Sequence, residues 1–243
     1  MTGPARNQPV AVVTGGTRGI GLAIATRLAG MGHHVVAAAR RPPAAPLPAD
    51  AAFAACDVAD PAAVRALFET VAATHGRVDV LVNNAGVAGS DRLDDPGEEM
   101  WRRIMATNLD GAYRCAKAAI PLMPDGTGRI VNVSSVLGLK GVPDQPAYVA
   151  AKHGLIGLTR ALAHALAPRR ITVNAVCPGW VDTEMAAGRL AELGLTAADA
   201  AAGTPTGRFT TPEEIAAAVA YLAGPEAGNL TGQALVIDGG WLA

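Results

Sequence analysis

Near-continuous apolar runs of strand length alternate along the chain with longer, Ala-rich stretches of helical period. The runs cover 10–14, 34–39, 51–56, 78–82, 129–134, 171–177 and 234–237. Several lack the apolar–polar alternation of a half-exposed strand, as expected of strands covered on both faces. Helical periodicity occupies 19–31, 61–75, 97–123, 147–167 and 212–223. Two starts carry explicit signals: Asp60-Pro61 and Thr211-Pro212 each set a capping residue before a proline in the first turn. Strands and helices joined by short links predict an α/β chain, a doubly wound parallel sheet of about seven strands with helices on both faces. No repeat or linker divides the sequence, so 1–243 reads as one domain.

Two segments break the rhythm. Residues 40–50 hold Pro42, Pro43, Pro46 and Pro48, too many for a helix interior, so this crossover is expected to be an extended loop. Residues 182–211 form a long stretch rich in Ala, Gly and Thr, expected to be a loop that acts as a substrate lid.

Half of the 243 residues are apolar, and 20 Lys+Arg against 21 Asp+Glu leave a net charge of −1. That balance argues against a disordered chain or a nucleic-acid-coating protein, and Arg102-Arg103 and Arg169-Arg170 are only short basic pairs. Cys56, Cys115 and Cys177 are too widely spaced for a CxxC pair or a disulfide framework, and read as small buried residues of a reducing compartment. The stretch from Met1 to Gln8 has no apolar signal core, and no apolar run approaches the ~20 residues of a membrane span. A cytoplasmic protein without membrane partners is the expectation. The five histidines show no clustered ligand spacing, so no catalytic metal is expected.

Gly15, Thr17, Arg18, Gly19, Ile20 and Gly21 follow the first strand and open the first helix. Glycines there permit a tight turn and let the backbone approach a pyrophosphate, to which the helix N-terminus presents N–H groups. The GK[ST] continuation of a phosphate-hydrolysing loop is absent. The spacing TGxxxGxG resembles the short-chain dehydrogenase/reductase family, and the resemblance extends along almost the whole chain. Asn83-Asn84-Ala85-Gly86 matches its NNAG segment, and Ser135, Tyr148 and Lys152 match its catalytic Ser and YxxxK. Pro178-Gly179 matches its PG turn and Asp238-Gly239-Gly240 its C-terminal DGG. The resemblance implies a Rossmann-type dinucleotide-binding domain.

Tyr148 and Lys152 are four apart and share one helix face. A nearby ammonium would lower the phenol's ordinary pKa of about 10 and suit Tyr148 as general acid in carbonyl reduction. Ser135, at the end of the fifth strand, would donate to the same oxygen. Strand alternation lets only one of Ser134 and Ser135 face the cleft, and the family spacing favours Ser135. The resemblance further implies that Asn108 holds a water linking Lys152 to solvent and that Lys152 also binds the nicotinamide ribose. It places Asp57 and Val58 at adenine, and Asn84, Ala85, Gly86, Pro178, Gly179, Val181 and Thr183 along the cofactor. Trp180 reads equally as core or as cleft lining.

An acidic residue at the end of the second strand would mark an NAD binder, but Ala39 stands there, followed by Arg40 and Arg41. These arginines and Arg18 can pair with a 2′-phosphate, so NADP(H) is favoured and NAD(H) stays open. Apolar residues in 87–95, 136–145 and 180–207 suit a neutral ketone or acyl chain. The chain is similar to bacterial 3-oxoacyl and polyketide ketoreductases. Such reductases dock an acyl carrier protein through two arginines. Arg169 matches one, but Asp125-Gly126-Thr127 stands in the region of the other, so a free ketone or coenzyme A thioester is equally open. The expectation is an NADPH-dependent carbonyl reductase transferring hydride to a ketone or 3-oxoacyl-type substrate, with a small-molecule ketone or alcohol as its partner. The alternatives are an NAD-dependent alcohol, sugar or steroid dehydrogenase, and a non-catalytic dinucleotide sensor. Family members are mostly homotetramers or homodimers packed through helices equivalent to 97–123 and 147–167.

Overall fold

The computed structural model describes residues 8–94 and 97–243. The leader expectation for 1–7, and Asp95 at the expected cleft border, lie outside the described residues. Seven parallel strands form one sheet in the order β3-β2-β1-β4-β5-β6-β7. They are β1 Val10–Thr14, β2 His34–Ala39, β3 Ala51–Ala55, β4 Val80–Asn83, β5 Arg129–Val133, β6 Thr172–Pro178 and β7 Ala234–Ile237. The chain winds outward through β2 and β3, then returns to the other side of β1 for β4. That reversal leaves a crevice beyond the carboxyl ends of β1 and β4, where open α/β sheets bind ligands.

Alternate residues of the central strands feed two cores. Val10, Val12, Leu81 and Ile130 face a layer containing α2 Pro61–His75, α4 Gly111–Ala119 and α5 Pro146–Leu166. Ala11, Val13, Val80, Val82 and Val131 face α1 Gly19–Gly30 and α8 Pro212–Ala223. Both faces are thus covered over the middle of the sheet, which explains the unbroken apolar runs. The edge strands are less covered: Phe53 is 37% exposed, and Leu235 and Val236 are 40% and 38% exposed. As expected, 40–50 contains no helix or strand. All three cysteines are free and buried.

Two expected elements differ. The 97–123 stretch starts as a helix only at α3 Glu99–Met105, Gly97 having φ +87°. It then passes through a π-turn at Ala106–Asp110 into α4 and ends in a 3₁₀ turn at Ile120–Leu122. The 182–211 stretch is no simple loop, for it holds α6 Glu184–Leu193 and α7 Ala197–Ala202. Thr183 caps α6, Gly194 ends it at φ +65°, and Thr196 with Asp199 forms a capping box on α7. These local signals outweigh the loop-like composition.

A buried polar chain fixes α5 to the sheet. Asn83 Nδ2 donates to Asn132 Oδ1, Asn132 Nδ2 to Thr159 Oγ1, and the Thr159 hydroxyl to the Leu155 carbonyl, each at 2.8 Å. Thr159→Val would leave the Asn132 amide buried without its acceptor. The expected cost is ~1–3 kcal/mol, read as a lower urea midpoint with an unchanged slope.

Candidate active site

The first strand ends against the fourth through Thr14. Its buried hydroxyl accepts the N–H groups of Asn84 and Ala85, both at 3.0 Å, and donates to the Val82 carbonyl at 3.3 Å. The Asn84 amide reaches back to the carbonyls of Thr14 (2.9 Å) and Gly15 (3.3 Å). The resemblance places Asn84 along the cofactor, and Thr14 is the last residue of β1. Here both stitch the floor of the crevice.

This seam requires glycine at two positions. Gly15 has φ +66°, and a Cβ there would stand 2.8 Å from Asn84 Nδ2. A Cβ on Gly21 would stand 2.1 Å from the Gly15 carbonyl oxygen. Helix α1 is preceded by Arg18, whose side chain makes no capping bond, so no side-chain cap from Arg18 occupies the first-turn N–H groups. A backbone cradle with a free helix N-terminus fits the pyrophosphate of a dinucleotide. Gly19 lies exposed at the start of α1, with Thr17 and Ile20 half-buried beside it.

At the carboxyl end of β5 the two serines divide their work. Ser134 donates inward to the Lys152 carbonyl at 3.1 Å, while Ser135 lies beside Tyr148 and accepts the Leu137 N–H at 3.1 Å. Lys152 is 4% exposed, donates to the Val133 carbonyl at 2.8 Å, and sits 5.5 Å from the centre of the Tyr148 ring. The structure therefore brings Ser135, Tyr148 and Lys152 together, across the crevice from the glycine turn.

One electrostatic expectation is corrected. Burial pushes the Tyr148 phenol up to about 12, with the Ser135 hydroxyl opposing the shift, rather than Lys152 lowering it. Burial also pulls Lys152 down to about 8, and its ammonium is turned to the Val133 carbonyl. Desolvation dominates both groups. The phenol consequently holds its proton at neutral pH.

Comparison with known proteins agrees with this geometry. A family profile described as "Enoyl-(Acyl carrier protein) reductase" matches residues 15–242. The chain belongs to the short-chain dehydrogenase/reductase family. It is 41% identical over 242 residues to a 3-oxoacyl-[acyl-carrier-protein] reductase of Vibrio cholerae, covering 95% of this chain and 96% of that protein. A crystal structure of a single-residue variant of the actinorhodin polyketide ketoreductase with NADPH superposes with a TM-score of 0.89 at 38% identity, covering 98% of both chains. A ligand-free aldohexose dehydrogenase of Thermoplasma acidophilum superposes at 0.90 with 35% identity, covering 98% of this chain and 95% of that one. The protein is an NAD(P)-dependent oxidoreductase acting between carbonyl and alcohol.

The other residues expected at the site make contacts of their own. Asn108 is buried in the π-turn, its amide spent on both the N–H and carbonyl of Val87 at 2.8 Å. Asp57 accepts the Ala59 N–H at 3.0 Å, and Val58 is buried where a Cβ on Gly111 would stand 2.8 Å from its Cγ2. Ala85 and Gly86 continue from the seam. Pro178 ends β6, and Gly179 lies so close to Asp238 that a Cβ would stand 2.9 Å from the aspartate's own. Val181 is buried and bridges Thr210, and Trp180 stacks on Phe209 with centroids 5.7 Å apart. The Thr183 methyl lies 3.5 Å from the site of a Cβ on Gly19, at the phosphate turn.

Arg40 and Arg41 are exposed beyond β2. Arg18 is also exposed but is engaged by Glu184 at 2.8 Å, a pairing that no local pattern announces. Arg169 is occupied at the opposite, amino-terminal end of the sheet, by Asp125 (2.7 Å) and the carbonyls of Ile120 and Met123. Sequence reasoning also missed Asp91, whose carboxylate accepts the Ala147 N–H at 2.8 Å and so holds the first turn of α5 beside Tyr148. Among the described residues, no His, Cys, Asp and Glu side chains group to hold a metal ion.

Gly21→Ala should weaken dinucleotide binding by ~10-fold or more, because the turn must open to admit the methyl. Cofactor fluorescence titration measures the loss, and an unchanged far-UV spectrum shows that the fold is retained.

Proposed function

We propose that the protein is an NADPH-dependent reductase of neutral ketones or 3-oxoacyl thioesters, with Tyr148 as general acid. The observation that carries this reading is a half-buried phenol flanked by the Ser135 hydroxyl and the Lys152 side chain. When bound, the reduced nicotinamide supplies the hydride. Ser135 and Tyr148 orient the carbonyl oxygen between two donors. The Tyr148 O–H bond breaks as the new alcohol O–H forms, and Lys152 as ammonium stabilises the phenolate left behind. Asn108 connects Lys152 to solvent through a water on its main chain.

NADP(H) is supported by the absence of an acid at Ala39, the exposed Arg40 and Arg41, and the NADPH-bound structural relative. Arg18 joins them once it leaves Glu184. Residues 183–209 cover the substrate side of the cleft. They carry Leu190, buried, and Met185, 47% exposed, consistent with an apolar ligand. Arg169 and Asp125 neutralise each other, which favours a free ketone or coenzyme A thioester over docking of a carrier protein there. Tyr113 and Trp101, half exposed on α4 and α3, support a homotetramer or homodimer built through the α4 and α5 face. No helix among the described residues is long and apolar enough to cross a membrane, in keeping with a cytoplasmic enzyme.

Purified protein should oxidise NADPH in the presence of a 3-oxoacyl thioester or diketone. Tyr148→Phe should lower kcat/KM by ~10²–10⁴ with the fold intact. Lys152 is charged below its pKa of about 8, so the reduction rate should fall as pH rises through 8, while the phenol stays protonated. A rate unaltered in Tyr148→Phe contradicts the assignment.

Wild-type protein should favour NADPH over NADH in kcat/KM. Replacing Arg18 or Arg40 by Ala should cost ~10–100-fold with NADPH and little with NADH, the scale of one charged hydrogen bond. Equal or better turnover with NADH reassigns the cofactor to NAD(H).

A further inference from the structure

The inner face of α6 carries Arg189, whose side chain is 14% exposed and pairs with both Asp144 and Glu192, the latter at 2.9 Å. Asp144, 21% exposed, belongs to the loop that runs into α5, 45 residues away in sequence. Burial works against the Arg189 charge, but the two carboxylates outweigh it and hold the guanidinium more firmly protonated. The backbone of Asp144 continues the contact: its carbonyl accepts the Asp91 N–H at 3.1 Å and the Ser90 hydroxyl at 3.3 Å. Asp91 in turn accepts the N–H of Ala147, the residue next to Tyr148. A continuous polar path therefore leads from α6 to the first turn of the helix that bears the phenol.

The other polar tie of α6, Arg18 with Glu184, is of a different kind. Its side chains are 75% and 82% exposed, and ion pairs so hydrated contribute little. Arg189 and Asp144 are largely withdrawn from water, so removing either partner strands the other in a poorly solvated place. At the neck of the excursion Val181 bridges Thr210 and Trp180 stacks on Phe209, so the two ends of the 183–209 stretch are joined.

We propose that Arg189 and Asp144 are positioning residues for the reduction: their ion pair holds α6 down over the cleft and, through Asp91, sets the first turn of α5 beneath it. Neither touches the reacting atoms. The inference rests on reading 183–209 as the substrate cover.

The test compares wild-type protein with Arg189→Met, Asp144→Asn and the charge exchange Arg189→Asp/Asp144→Arg, all as full chains. Hydrogen exchange without ligand is the first readout. Each single variant should speed exchange ~10-fold or more across 184–193 and 146–149, leaving β1 and α8 unchanged, and the exchange variant should recover most of the protection. Kinetics with acetoacetyl-N-acetylcysteamine and NADPH is the second. KM for the thioester should rise ~10-fold, with kcat within ~3-fold of wild type, and the NADPH dissociation constant should not move. Unchanged exchange in α6, acceleration spread through β1 and α8, or a charge exchange that restores nothing would overturn the proposal. Wild-type protein that fails to reduce the thioester with either dinucleotide contradicts the carbonyl-reductase reading instead, and the exchange measurement still decides the clamp.

Discussion

The site depends on the attachment of one helix to one strand. Helix α5 brings Tyr148 and Lys152, and β5 delivers Ser135. Their relative placement is fixed by bonds that never face the cleft: Ser134 to the Lys152 carbonyl, Lys152 to the Val133 carbonyl, and the Asn132–Thr159 link two helical turns further on. Each buries polar atoms that could not be left unpaired without a penalty. A helix anchored this way resists sliding or rolling along the sheet, so Ser135, Tyr148 and Lys152 keep their relative placement.

That anchoring also sets the protonation states. Burial of Tyr148 disfavours its phenolate, and burial of Lys152 weakens its hold on a proton, so at neutral pH a neutral phenol stands beside an ammonium whose pKa has fallen to about 8. In the proposed mechanism such a donor is loaded before substrate arrives, and proton transfer follows the growing basicity of the carbonyl oxygen rather than preceding it.

Much of this was legible in the residues. Five of the strand and helix ranges coincide with their expected bounds, because short apolar runs between turn residues and proline-capped helices announce themselves locally. Strand alternation predicts that Ser134 and Ser135 part ways, and they do make different bonds, Ser134 to the Lys152 carbonyl and Ser135 from the Leu137 N–H. What escaped was either composite or distant. The π-turn at Asn108 depends on Val87, and the roles of Arg18, Arg169 and Asp91 depend on partners 44 to 166 residues away. The two helices inside 182–211 are signalled by Thr183, Gly194 and the Thr196–Asp199 box, but a composition rich in Ala, Gly and Thr masks these caps. The shift of the Tyr148 phenol differs in sign from the expectation because spacing conveys a neighbouring charge but not how much water has been removed.

The neck at Val181 and Thr210 has an evolutionary consequence. Both ends of the 183–209 excursion leave and return through a single bridge, with Trp180 and Phe209 stacked across it. Joining the ends in this way makes the length of the intervening chain nearly immaterial to the sheet, since closing a longer loop costs only logarithmically more. The stretch can therefore be lengthened, shortened or exchanged as a cassette between relatives at this bridge while the sheet stays as it is.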